Sequence, residues 1–119
     1  MADFHGVTAS NGAKIKKGKI EEVKKILDKY DFSCGLEYRI DNGSITILGY
    51  VWPTLWLKGD DEDLTDCFEE FLEELSPLLS ENLVIHAIGN VKCIFPLSAM
   101  EILVTPQGVN YRYGFECFY

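Results

Sequence analysis

The stretch Leu36-Glu37-Tyr38-Arg39-Ile40-Asp41-Asn42-Gly43-Ser44-Ile45-Thr46-Ile47-Leu48-Gly49 decides the fold. Asn-Gly is the preferred pair for a two-residue type I′ turn, because both central positions of that turn need positive φ. Closing the turn over Asn42-Gly43 sets Ile40 opposite Ile45, Tyr38 opposite Ile47 and Leu36 opposite Gly49. The aliphatic residues then share one face, with Arg39, Asp41, Ser44 and Thr46 on the other. A slip of one residue would invert that sorting, so turn chemistry and side-chain alternation specify the same register. The chain is expected to be built on antiparallel hairpins.

Downstream, Tyr50 and Trp52 continue the polar face of the second strand while Val51 continues the core face, and Pro53 stops regular pairing. Tyr50, Trp52 and Trp56 are therefore expected as a semi-exposed aromatic cluster on the hairpin side of the sheet. Exposed Trp and Tyr are common anchors of protein interfaces.

After Lys58-Gly59 the charge changes abruptly. Residues 60–81 hold ten acids and no Lys or Arg. Threaded among them, Leu64, Phe68, Phe71, Leu72, Leu75, Leu78 and Leu79 recur at the spacing of one apolar helical stripe,. A helix is predicted, its acidic first turn favoured by the helix dipole and its end set by Ser76-Pro77, since the residue before proline avoids the α region. Asp63, Asp66, Glu69, Glu70, Glu73 and Glu74 fall off the stripe and form a wall of carboxylates. The run Asp60-Asp61-Glu62-Asp63 fails as an EF-hand loop: counted from Asp61, the places that need Asp, Gly and Glu hold Thr65, Asp66 and Leu72,.

Working outward, a first helix is predicted from Lys19 to Tyr30, with Ile20, Val23, Leu27 and Tyr30 on its buried side. Residues 1–18, with Lys14, Lys16 and Lys17, are expected to be a flexible basic arm, and 19–119 a single α+β domain. The last third predicts strands at Leu83–Ile88, at Val91–Phe95 after a Gly89-Asn90 turn, at Met100–Thr105 and at Val109–Tyr119. The order α-β-β-α-β-β-β-β implies a two-layer α+β sandwich, a mostly antiparallel sheet with two helices on one face.

Composition limits function. The 119-residue chain is 47% hydrophobic with a net charge of −8, enough apolar content for one packed domain. Residues 1–32 carry +2 and residues 33–119 carry −10. A body that acidic is a poor ligand for phosphate, so direct nucleic-acid binding is not expected, and no membrane association is expected either. No apolar run approaches the roughly 18–20 residues of a membrane span, and no secretory leader is legible, so a cytoplasmic location is expected. Cys34, Cys67, Cys93 and Cys117 lie far apart within apolar patterns and are expected as reduced, mostly buried thiols. No pair of His or Cys has zinc spacing, and Gly89, Gly108 and Gly114 are isolated, with no phosphate loop. No metal or other cofactor is expected, and no catalytic residue.

The function expected from these residues is a small acidic, non-catalytic interaction protein. It would bind a basic protein surface through Asp63, Asp66, Glu69, Glu70, Glu73 and Glu74, with Tyr50, Trp52 and Trp56 as aromatic anchors. One concrete version is an inhibitor or immunity-type factor whose carboxylate rows stand in for nucleic-acid phosphates. The alternative is a small enzyme or ligand-binding domain using His86, a cysteine and an aromatic pocket near Trp52.

Overall fold

The computed structural model describes residues 4–33, 35–59, 66–91 and 97–116. Its organising hairpin pairs β4 (Leu36–Asp41) with β5 (Ser44–Gly49), setting Leu36 against Gly49, Tyr38 against Ile47 and Ile40 against Ile45. Asn42 and Gly43 both take positive φ, 50° and 75°, as a type I′ turn requires. Gly49 lets the chain close up at the far end of the hairpin. A Cβ there would lie 2.4 Å from the Gly35 carbonyl oxygen.

The sheet grows from the other edge of β5. There β1 (Phe4–Ser10) pairs through Thr8 and Ala9, and after Asn11-Gly12 the short β2 (Ala13–Lys14) continues along the same edge to Ile45 and Ser44. The opposite edge of β1 pairs with β7 (Leu83–Val91), from Phe4 opposite Val91 to Ser10 opposite Ile85. Then come β8 (Leu97–Thr105) and β9 (Gly108–Glu116), each antiparallel to the strand before it. Among the described residues these seven strands form one sheet in the order β4-β5-β1-β7-β8-β9, with β2 extending the line of β1.

Two expectations are corrected here. Of the expected arm at 1–18, the described residues 4–18 belong to the domain: β1 lies in the interior of the sheet, and Ile15 and Lys16 donate backbone hydrogen bonds to the carbonyls of Gly43 and Leu78, both at 2.8 Å. The sequence hides β1 because Val7 and Ala9, the apolar residues at its centre, are exposed, whereas Thr8 between them is buried. That buried hydroxyl is satisfied by the Val51 carbonyl at 2.6 Å. Nor is Gly89-Asn90 a turn. It lies within β7, where Gly89 pairs with Gly6 on one side and Ser98 on the other. The remainder of the expected Val91–Phe95 strand, residues 92–95, lies outside the described residues. Apart from two-residue strands, the order is β-α-β-β-α-β-β-β.

Both helices cover one face. The stripe of α1 (Ile20–Lys29) buries Val23 and Leu27, and that of α2 (Phe68–Leu75) buries Phe68, Phe71, Leu72 and Leu75. They meet Ile45, Ile47, Ile85, Ile102 and Val104 from the sheet in one core, where each fully buried large apolar side chain contributes roughly 1.5–3 kcal/mol. Alternate residues of the same strands, among them Val7, His86 and Ile88, stay exposed on the uncovered face. The protein is a two-layer α+β fold. A 3-10 turn at Ser76–Leu78 follows α2, with Pro77 inside it, as the Ser76-Pro77 step foretells. A second, two-stranded ribbon of β3 (Tyr30–Asp31) and β6 (Trp56–Leu57) flanks the helices. Among the described residues, no helix is long and apolar enough to cross a membrane.

Candidate functional site

The carboxylates of α2 separate into two kinds. Glu69, Glu70 and Glu73 are exposed and form no ion pair with any described Lys or Arg. Glu74 is different: Lys29 and Tyr30 at the end of α1 both donate hydrogen bonds to it. Burial works to raise its carboxyl pKa, but the two hydrogen bonds and the Lys29 charge outweigh that and hold it below the ordinary range,. Glu74 thus ties the helices together and is removed from the outward-facing set. Asp66, also exposed, has a structural task as well. Its Oδ1 accepts the backbone N–H of Leu55 and of Phe68, both at 3.0 Å. Asp63 lies outside the described residues.

The aromatic trio does not gather on the hairpin side. β5 ends at Gly49, so the alternation that would carry Tyr50 and Trp52 along the open face stops there. Tyr50 projects into solvent at 87% exposure. Trp52 folds toward the helix layer and packs half-buried against the core. Two anchors hold its segment: the Thr8 hydroxyl on the Val51 carbonyl before it, and Asp66 on the Leu55 N–H after it. Trp56 lies apart, in β6 opposite Asp31, with its indole Nε1 buried and unpartnered among the described residues.

What Trp52 meets is a pair of residues that sequence reasoning did not single out. Tyr111 and Tyr113 project from β9 toward α2, their rings 6.3 Å apart and within 7° of parallel. Together with Trp52, Pro53, Asp66, Phe68, Glu69 and Met100 they line a cleft of about 130 Å³. Its floor is apolar, since Phe68 and Met100 are buried; its rim carries Asp66 and Glu69, both exposed. The Tyr111 hydroxyl is buried without a hydrogen-bond partner among the described residues. Burial raises its pKa above the ordinary tyrosine range, and the nearby charge of Glu69, with smaller effects of Tyr113, Glu73 and Glu70, pushes the same way. Alternation in β9 was the available signal for the two tyrosines; that α2 covers their side of the sheet is a tertiary fact.

A larger depression, about 360 Å³, lies on the uncovered face along the cross-strand row His86, Glu101 and Arg112. There His86 Nε2 is 2.8 Å from Glu101 Oε2, and Arg112 Nη1 is 3.8 Å from Glu101 Oε1. The Glu101 carboxylate thus has a neighbour on each side in this row. Among the described residues, His86, Cys67 and the pocket near Trp52, the parts of the alternative reading, are not brought together. His86 points away from the core, whereas Cys67, beside the start of α2, packs against it, and the cleft at Trp52 does not include His86. Cys34, Cys93 and Cys117 lie outside the described residues. Among the described residues, no three His, Cys, Asp or Glu side chains converge as metal ligands.

Comparison with protein-family models, with curated proteins and with solved structures finds no match for this chain.

Proposed function

We propose that this protein binds another protein, one with a basic surface, through the outer face of α2. The observation that carries this reading is that Glu69, Glu70 and Glu73 stand exposed on one short helix with no described cation paired to them. Such carboxylates create a field reaching about 8 Å at physiological salt. It repels phosphate and draws in Lys- and Arg-rich surfaces. The aromatic cleft at one end of the same helix supplies what a purely solubilising charge lacks: apolar area to desolvate on contact, of the kind that interface anchors occupy. An inhibitor or immunity-type factor that occupies a nucleic-acid-binding groove is the most specific form of this reading, with carboxylates in place of phosphates.

The test is affinity capture from the native host with wild type and a Glu69→Gln/Glu70→Gln/Glu73→Gln variant side by side, read by mass spectrometry. A basic protein retained by wild type and lost from the variant supports the reading. Partners retained equally by both would show that the acidic face merely solubilises the domain.

A further inference from the structure

We infer that the cleft between Trp52, Tyr111 and Tyr113 is a receptor for an arginine side chain of the partner. This deepens the proposal above and rests on it. The cleft has the three parts that a guanidinium needs. The first is π surface. Trp52 and two tyrosines line it, and the tyrosine rings are parallel to within 7°, so a planar cation lying along one is aligned with the other. Cations over Trp and Tyr faces are attracted by the ring quadrupole, and guanidinium, planar and weakly hydrated, stacks where a compact ammonium does not.

The second part is negative charge at the mouth. Asp66 and Glu69 line the cleft. Asp66 already uses Oδ1 for the two backbone N–H groups, which fixes the carboxylate in place. Glu69 makes no ion pair among the described residues. Carboxylates so placed accept the N–H groups of a guanidinium in charge-assisted hydrogen bonds. The third part is an apolar floor. Phe68 and Met100, buried there, offer the methylene stem an apolar contact.

The test titrates the intact protein with acetyl-Gly-Arg-Gly-amide and follows the indole N–H and tyrosine ring signals by NMR. A saturable shift is expected at the Trp52 indole and the Tyr113 ring, with Trp56 unmoved. The citrulline peptide, the same shape without charge, should give no saturable shift, and the lysine peptide should bind several-fold more weakly. Tyr113→Leu and Glu69→Gln, both at exposed positions, should each weaken arginine binding about threefold, while Glu37→Gln, exposed in β4 and outside the cleft, leaves it unchanged. Equal binding of the citrulline or lysine peptide, full affinity in Tyr113→Leu, or no saturable shift overturns the assignment. If the arginine peptide fails while the basic partner is still captured through Glu69, Glu70 and Glu73, the cleft assignment falls alone. If capture fails as well, the reading beneath it falls too.

Discussion

The Tyr30 hydroxyl donates a hydrogen bond to Glu74 Oε1 across the gap between α1 and α2, while Lys29 holds the other oxygen of the same carboxylate. This makes Glu74 a joint of the helix layer, although its spacing in sequence places it with Glu70 and Glu73. Glu74→Ala should lower stability by about 1–2 kcal/mol, the usual cost of orphaning a partly buried partner, read as a shift in the urea midpoint. Glu70→Ala, exposed and unpaired, should stay within about 0.5 kcal/mol. Equal effects of the two changes would deny Glu74 its special place.

The same contact sets a pH dependence. Glu74 is depressed in the folded state, so its contribution is present above the ordinary value of 4.5 and lost as pH falls below it,. The phenols of Tyr30 and Tyr111 are raised, mainly by burial, so their contribution is intact below the ordinary value of 10.0 and lost as pH rises beyond it,. Melting temperature against pH should therefore fall on both sides. Glu74→Gln should flatten the acid limb and Tyr30→Phe part of the alkaline one.

Gly49 is required by its neighbour and not by its own dihedrals. Since a Cβ would strike the Gly35 carbonyl oxygen and approach the Leu36 Cα at 3.1 Å, the obstacle is backbone and must move as a unit. Gly49→Ala should cost at least about 1–3 kcal/mol, measured by denaturant unfolding. Gly12→Ala, whose Cβ would sit in ordinary contact 3.4 Å from Thr46 Oγ1, should change stability by no more than about 0.5 kcal/mol.

Electrostatic steering acts on association. With the basic partner in hand, the Glu69→Gln/Glu70→Gln/Glu73→Gln variant should fold normally and associate about tenfold more slowly at low salt, with a smaller change in dissociation rate. The wild-type on-rate should drop steeply with added salt and converge on that of the variant. A variant that associates as fast as wild type at low salt would remove α2 from the interface.

Local rules carried the hairpin and both helix stripes: every described member of the second stripe, Phe68, Phe71, Leu72, Leu75, Leu78 and Leu79, is buried. They failed where tertiary context reverses the pattern. β1 shows apolar residues to solvent and keeps a threonine inside, so periodicity alone gives it no strand. Alternation through Tyr50 and Trp52 misled because the ladder stops at Gly49, and the next residues follow hydrogen bonds from Thr8 and Asp66 instead. Of the candidate site, the free carboxylates and Trp52 were legible. Tyr111 and Tyr113 were not, because only packing brings residues so distant in sequence to one end of α2.

The interior position of β1 also governs when this protein can exist. Its partners are 41 residues away at Thr8–Gly49 and 87 away at Phe4–Val91. A strand made early in synthesis has to wait for the β7 segment before both of its edges are occupied. Loop closure over such spans precedes the contacts that reward it, which slows folding. The sheet can therefore close on both edges of β1 only after the β7 segment has been made, whereas the β4–β5 and β8–β9 hairpins are local pieces.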